Sequence, residues 1–452
     1  AYRTTGTFHI LSVSGLHVGV LYLVLSVFLV SLKRKVLTRI IRGIILLSVV
    51  WFYALITGLS PAVLRSAAML SFIIVGECSE REPNTINTLA ASAFILLAID
   101  PFQLMNIGFQ LSYFAVAGIV IIQPLIQDLW IPKFKVVQVI WGLTTVSIAA
   151  QLASSPLSIY YFHQFPNYFI FTNYFAIPLS SVAIYAGMLT LISSPLVWLS
   201  HQLALLFFGI ISLLNYCILF FGQFPYASMK DIHLSMFETA CIYVMIILLY
   251  LAYKQKKKMM LFGALLCLLF IGTSFVIDNY KTKRQQTVTI YSINNNTIID
   301  YFNGQTALAF QSFYPLPENQ TNAYQISENR ISNGIKLIRT IPLYKDTTRD
   351  ISKGFWKSGS NYLFKHTRLI VQNGNLDRLL FKENPLVTDY LLLTRNPYPN
   401  MEELLNRYRF RQLILDASNT FVNAQKWKKL CTDNRIPCHY TAADGAFVFK
   451  AD

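Results

Sequence analysis

His9-Ile10-Leu11-Ser12-Val13-Ser14-Gly15-Leu16-His17 sets two histidines and two serines inside an apolar run that continues through Val18-Gly19-Val20-Leu21-Tyr22-Leu23-Val24-Leu25. A run of this length and apolarity crosses a bilayer as a helix. Hydrocarbon offers no water to an imidazole or a hydroxyl, so such groups face a bundle interior or a wet cavity, and a functional role is the first reading. Hydrogen bonds that merely tie helices together are the plainer one. On a helix, at about 100° per residue, His9 lies beside Ser12 and Val13, while Ser14 neighbours His17 three residues on, so two polar faces result. Ser14-Gly15 also loosens the helix, since Gly is a poor helix former and a serine hydroxyl competes for backbone carbonyls.

The rest of the chain extends that reading. With 54% hydrophobic and 13% charged residues and a mean hydropathy of +0.45, 452 residues are too apolar for a soluble protein. Ten spans are predicted, at about 7–32, 40–57, 61–77, 87–100, 103–122, 136–157, 168–192, 201–222, 232–253 and 259–277, with helix breaks at Pro156 and Pro178. Residues 278–452 are polar, rich in Asn, Tyr and charge, and hold no spanning run. The expected organisation is a membrane domain over 1–277 and a soluble domain over 278–452.

Lys and Arg concentrate on the cytoplasmic side of membrane proteins. Lys33, Arg34, Lys35, Arg39 and Arg42 follow the first span, and Lys254, Lys256, Lys257 and Lys258 lie between the last two. With both clusters inside, ten spans put residue 1 and the soluble domain outside, and Lys133 and Lys135 also fall inside. Of the net charge of +16, residues 1–277 contribute 15 Lys plus Arg against 7 Asp plus Glu. The equal remainder gives the soluble domain a basic balance that attracts polyanions or merely solvates its surface. The chain starts with Ala1 almost directly on its first span, without a cleavable leader, and a preceding part of the natural protein is expected. Cys78, Cys217, Cys241 and Cys267 read as packing residues; Cys431 and Cys438 fit either a disulfide or two thiols.

A second polar cluster is Thr57-Gly58-Leu59-Ser60-Pro61-Ala62-Val63-Leu64-Arg65-Ser66-Ala67. Arg65 falls one turn into a span, behind a start that leaves amide donors at a helix N-terminus. Its planar, always charged fork suits phosphate, and snorkelling or a carboxylate partner fits equally. Gly108-Phe109-Gln110-Leu111-Ser112, Gln151 with Ser154-Ser155-Pro156, and Asn173 with Pro178 put further polar groups at membrane depth. Together they predict interrupted helices lining one wet cavity, although each alone reads as packing. Acids in the spans are Glu77 and Asp100 near helix ends and Glu238 inside the ninth. This shortage disfavours a proton- or sodium-coupled pump and suits an anion path.

In this order, these residues resemble the membrane channel of the ComEC family of bacterial competence proteins. The His-to-His run looks like the family's hallmark. Thr57 to Pro61 with Arg65, Gly108 to Ser112, Gln151 with Pro156, and Asn173 with Pro178 fall where the family carries comparable motifs, over about residues 1–250. The resemblance implies passage of single-stranded DNA through the bacterial inner membrane during natural transformation. The path residues it implies are His9, Ser12, Ser14, Gly15, His17, Ser60, Arg65, Gln110, Ser112, Gln151 and Asn173, with no cofactor. A carrier for a smaller anion fits the same polar path. The sequence holds no Gly-x-x-x-x-Gly-Lys-Ser/Thr loop, so a cytoplasmic ATP-driven helicase is the expected partner, together with membrane lipid around the bundle and an extracytoplasmic DNA receptor or nuclease. Family members often carry an OB-like domain between early spans; its lack here agrees with the expected missing segment.

Many ComEC-like proteins end in a metallo-β-lactamase-like domain whose His-x-His-x-Asp-His run holds two metals. Here the strand Asp389-Tyr390-Leu391-Leu392-Leu393-Thr394 is followed by Arg395-Asn396-Pro397-Tyr398-Pro399-Asn400, without histidine, and residues 278–452 contain just His366 and His439. A helix over Met401–Tyr408, a strand over Gln412–Asp416, a helix around Trp427–Cys431 and a strand near Gly445–Phe449 still fit an α/β sandwich. The fold expected is a polytopic helical membrane bundle followed by a degenerate metallo-β-lactamase-like domain that scaffolds rather than cuts. A membrane-tethered nuclease is the disfavoured alternative: Asp416 and Asp444 could serve as its leftover ligands, but the favoured reading is an Asp ending a strand or preceding a turn Gly.

Overall fold

The computed structural model describes residues 2, 4–11, 15–30, 36–81, 83–312, 320–343, 349–352, 355–373, 385–398 and 400–451. The chain divides into two compact units, Ala1–Ile271 and Gly272–Asp452.

The first unit is helical: α1 (Phe8–Leu11), α2 (Gly15–Phe28), α3 (Val36–Ile56), α4 (Pro61–Cys78), α5 (Thr85–Ile99), α6 (Ile107–Ile121), α7 (Gln123–Gln127), α8 (Lys135–Phe162), α9 (Phe169–Ile192), α10 (Val197–Gly222), α11 (Met236–Gln255) and α12 (Lys258–Arg284), the last crossing the boundary. Every expected span holds a helix. Among the described residues, seven helices are by length and composition able to cross a membrane, α3, α4 and α8 to α12, while α2, α5 and α6 are apolar but shorter. Polar residues set the starts. Asn84 and Asn106 accept amide protons at the first turns of α5 and α6, and Pro61 opens α4.

Several local expectations are corrected. Pro156 and Pro178 lie inside the continuous helices α8 and α9. A proline removes one backbone bond, whereas unwinding in lipid would expose several, and near Pro156 the Ala153 carbonyl accepts the Tyr243 hydroxyl at 2.9 Å. The break in this half falls instead at Asn106, between a 3-10 turn over Pro101–Met105 and α6. Arg42 is no loop residue: it is buried within α3, where its Nη1 donates to Glu77 at 2.7 Å while Tyr22 donates to the other carboxylate oxygen at 2.8 Å. Glu238 is no mid-span acid either. It closes a capping box with Ser235 at the start of α11.

The short strands β1 (Gln164–Pro166) and β2 (Ser228–Lys230) pair antiparallel, so the connections after α8 and α10 share one end of the bundle. Gly6 packs on Pro166 and Phe169, and Gly108 approaches Pro61, which adds residue 6 and the connections before α4 and α6 to the β-paired and Pro61 ends respectively.

The second unit is a two-sheet sandwich. One sheet orders as β16 (Phe447–Lys450), β3 (Gln286–Ile290), β4 (Ile298–Asn303), β5 (Thr306–Gln311) and β6 (Leu337–Pro342). The other orders as β15 (Cys438–Tyr440), β14 (Gln412–Leu415), β12 (Tyr390–Thr394), β10 (Thr367–Asn373), β9 (Asn361–Phe364), β8 (Phe355–Ser358) and β7 (Arg349–Ser352), with a separate pair β11 (Leu386–Val387) and β13 (Tyr408–Arg409). Alternate residues of the facing sheets, including Tyr301, Phe310, Phe355, Phe364, Leu392 and Ile414, form the inner core. On the outer side of the larger sheet, α14 (Met401–Arg407) and α15 (Phe421–Asp433) bury Leu404, Trp427 and Cys431 against Leu391, Leu393 and Leu413. α13 (Gln320–Ser332) and α16 (Thr441–Asp444) complete the unit. The elements expected from Asp389 onward are therefore present as an α/β sandwich.

Candidate functional site

The turn Gly58-Leu59, with φ of +78° and +52°, delivers the chain into α4 so that Arg65 points into the bundle. Its side chain is buried, at 8% exposure. Nε donates to Ser112 Oγ on α6 at 2.6 Å, and Nη1 lies 3.5 Å from Met69 Sδ one turn along α4. The remaining nitrogen faces α2: a Cβ built on Gly15 would stand 2.9 Å from Arg65 Nη2 and against Ser66 Oγ. Among the described residues no carboxylate lies within ion-pair distance of Arg65. A buried guanidinium without a carboxylate partner attracts an anion more strongly than one in water. Ser60, one turn before it, leaves a buried hydroxyl oxygen without a hydrogen-bond partner.

A second polar row runs along α8 and α9. Asn173 Nδ2 donates to Ser147 Oγ at 3.2 Å, and Asn173 Oδ1 is buried without a partner. Gln151, one turn from Ser147 on α8, is half-buried, and its side chain makes no hydrogen bond among the described residues. These groups supply open donors and acceptors but no charge.

The expectation of one cavity is corrected. Gln110 and Ser112 stand two residues apart on α6 and so point to different sides. Ser112 meets Arg65, whereas Gln110 donates to the Leu104 carbonyl at 2.8 Å and accepts from Tyr161 at 3.0 Å, a brace between α6, α8 and the preceding turn. Gly15 and His17 divide likewise on α2: Gly15 faces Arg65, and His17 lines a cavity against α9 and α10. His9 lies in α1 with Nδ1 at 3.2 Å from the Gly6 carbonyl oxygen. Ser12 and Ser14 lie outside the described residues.

In the second unit, the ends of β12 and β14 are where a metallo-β-lactamase-like fold would place ligands. Here Asp416 is fully buried, and its carboxylate accepts from the Thr297 hydroxyl, Ser418 Oγ at 2.5 Å, Ser418 N at 3.2 Å and Asn419 Nδ2 at 3.0 Å. Burial pushes its carboxyl up to about 6 against the opposing pull of the Ser418 and Thr297 hydrogen bonds. Asn396 bonds to Asn419 and to Thr420 N rather than presenting a ligand. Asp444 is tied to Lys428 and to Tyr440 N, and these bonds pull its carboxyl below the usual range. Among the described residues no three His, Cys, Asp or Glu side chains converge. Donors already consumed by hydroxyls and amides do not fit a dinuclear metal centre. Cys431 and Cys438 are free thiols on α15 and β15.

Residues 1–257 match the Competence protein family, and residues 288–451 match the ComEC C-terminal domain. The chain belongs to the competence protein family. ComE operon protein 3 of Bacillus subtilis (strain 168) is 32% identical to it over 187 residues, 41% of this chain and 23% of the relative. The uncharacterized protein YcaI of Escherichia coli (strain K12) is 27% identical over 232 residues, 47% of this chain and 30% of the relative. An uncharacterized protein of Aquifex aeolicus (strain VF5) is 31% identical over 118 residues, 26% of this chain and 27% of the relative. The chain thus aligns with less than a third of the length of these curated relatives. No solved structure matches it.

In this competence-family chain, sequence reasoning included Ser66 in the Arg65 cluster but missed Ser147. Ser147 stands four residues before Gln151, a helical spacing that places both on one face of α8. That signal was available. The brace role of Gln110 had none, because its partners come from the 3-10 turn and from α8.

Proposed function

We propose that the membrane unit passes single-stranded DNA into the cytoplasm during natural transformation. The observation that carries this reading is Arg65, a buried guanidinium with no carboxylate partner among the described residues, bordered by Gly15, Ser66 and Ser112. Gly15 lets α2 pack closely on Arg65 and Ser66, where a Cβ would clash, and Ser112, which accepts from Arg65 Nε, adds a hydroxyl beside the guanidinium without a competing negative charge. A phosphate entering there gains charge-assisted hydrogen bonds. A single cation keeps the hold weak enough for stepwise release. Ser60, Gln151 and Asn173 supply unpaired polar atoms for the flanking parts of the strand.

In this reading the chain sits in the bacterial plasma membrane and follows the positive-inside bias, with Lys254 and Lys256 to Lys258 in the cytoplasm and residues 278–452 outside. The outer domain binds or scaffolds without cutting, because Asp416 is committed to its own hydrogen bonds. Strand separation and cleavage then fall to an outer receptor or nuclease, and the pull to an ATP-driven cytoplasmic helicase.

The test is transformation with labelled DNA in a strain whose sole copy carries Arg65→Gln, scoring DNA bound outside separately from DNA that enters. The expected result is normal membrane level and binding, with entry lost. Normal entry would contradict the reading. Loss of uptake of a small anion with DNA entry intact would favour a carrier.

A further inference from the structure

Cys431 and Cys438 meet across the turn that joins α15 to β15. α15 ends at Asp433 with Asn434 as its C-cap, Arg435 takes a left-handed φ of +55°, and Ile436 N donates back to the Cys431 carbonyl at 2.9 Å. The chain reverses there, and Cys438 enters β15 opposite Leu413 of β14. Leu413 and Trp427 belong to the apolar cluster in which Cys431 is buried, at 1% exposure, and against which Cys438 packs. The two thiols are in hydrogen-bonding contact, with Cys431 donating. Sulfurs that close need little rotation to reach the bond length of about 2 Å.

Their surroundings differ. Cys431 is sealed in the core, whereas Cys438 is partly exposed. The bond from Cys431, aided by the Lys428 ammonium, holds Cys438 below the usual thiol range against burial and the Asp444 carboxylate. The same bond and burial hold Cys431 above it. A reachable thiol that ionises readily beside a buried one is the arrangement that thiol–disulfide exchange needs, one sulfur to attack and one to resolve. Metal binding is the other use of adjacent thiols, but among the described residues no third His, Cys, Asp or Glu joins these two. His439 Nε2 lies 2.9 Å from the Gly445 carbonyl oxygen, and Asp444 is tied to Lys428.

We propose that Cys431 and Cys438 form a disulfide in the working protein, made by exchange with the disulfide of an extracytoplasmic thiol oxidoreductase. The Cys438 thiolate attacks one sulfur of that disulfide, giving a mixed disulfide and expelling one oxidoreductase thiolate. Cys431 then loses its proton, attacks the Cys438 sulfur and expels the other. The cysteines give up two electrons and two protons, and the oxidoreductase takes up both as a dithiol. The bond ties β15, a three-residue strand at the edge of its sheet, to the helix that carries Trp427. Beyond β15 the chain crosses through α16 to β16 in the opposite sheet, so the link secures the crossing between the two layers at an edge otherwise free to open. The inference rests on the outside placement of residues 278–452 and is independent of what passes Arg65.

The test reads the full chain. Trypsin cuts after Lys429, Arg435 and Lys450, which puts the two cysteines on separate peptides, 430–435 and 436–450. From cells quenched with N-ethylmaleimide and digested without reductant, the expected product is the two peptides joined, lighter than their sum by two hydrogens and free of maleimide. Separately alkylated peptides would overturn the pairing. Sidedness is read on its own: in a chain carrying Cys431→Ala and Cys438→Ser, the exposed Thr432, replaced as Thr432→Cys, should react with a membrane-impermeant maleimide on spheroplasts. No label on its peptide would overturn the outside placement and, with it, the source of the oxidant, whatever the peptide map shows. With oxidised glutathione, Cys431→Ala is expected to take one glutathione on residue 438 and Cys438→Ser none on residue 431; the reverse would overturn the order of attack. The peptide map of the unsubstituted chain needs no variant and decides the pairing even if these fail to fold.

Discussion

At Gly15 a Cβ would stand against Ser66 Oγ and 2.9 Å from Arg65 Nη2, so even alanine must displace both. Gly19, one turn along the same helix, has nothing within 4 Å of the corresponding position. Gly15→Ala is therefore expected to lower DNA entry about tenfold, equal to ~1.4 kcal/mol of lost positioning, while Gly19→Ala leaves it unchanged; labelled-DNA entry at matched membrane levels measures both. Asp416 gives a pH prediction. Its folded pKa of about 6 lies above the usual carboxylate value, so the folded state holds this proton more tightly than the unfolded chain does. The resulting stability is complete below the unfolded value of about 3.9 and is lost as pH rises through 6, a change on the order of 3 kcal/mol. Hydrogen exchange at Leu391 to Leu393 and Leu413 to Leu415 in the full chain should slow as pH falls from 7 to 4 after correction for intrinsic rates, and Asp416→Asn should flatten that dependence. A residue's type announced some of this chemistry. Arg65 stood out in an apolar run, but the consumption of Asp416 did not, because Thr297 comes from a strand connection 119 residues away.

Among elements, α6 and α8 meet where Gly118 lies against Ala153 and 2.6 Å from the Ala149 carbonyl, measured from a Cβ built on the glycine. The neighbour is backbone and cannot turn aside, which is how small residues let membrane helices approach. Gly118→Leu should reduce the folded protein recovered from membranes severalfold by size-exclusion chromatography. Gly142→Leu on α8, with open space around it, should not. In the second unit, β4 is joined to α13 by Asp300 and Arg330, a two-pronged pair at 2.7 and 2.9 Å with Tyr291 donating to the same carboxylate. Asp300 is fully buried, so Arg330→Met leaves a desolvated carboxylate and should cost about 3–5 kcal/mol, read as faster exchange along β4. Hydropathy located the helices well because a span must be apolar along its whole length. It misjudged Pro156 and Pro178, since whether a proline breaks a helix depends on what its neighbours offer the freed carbonyls.

Across the whole molecule, the pattern of ten apolar runs followed by a polar third was readable because each unit buries its own kind of surface: spans in lipid, and alternating strands such as Tyr390–Thr394 in a sandwich core. The grouping of the site was less readable. Sequence places Gly15, His17, Arg65, Gln110, Ser112, Gln151 and Asn173 on helices, but packing decides which face meets which neighbour, and it separates His17 from Arg65 and turns Gln110 into a brace. The central claim is that a DNA strand passes Arg65. It is tested most directly by stalling a transforming strand during entry and crosslinking it to a photoreactive phenylalanine analogue placed at Ser60, one turn before Arg65, or at Phe270, an exposed position on α12. The expected result is a DNA adduct from position 60 and none from position 270. Entry that proceeds normally with no adduct at position 60 would contradict the account.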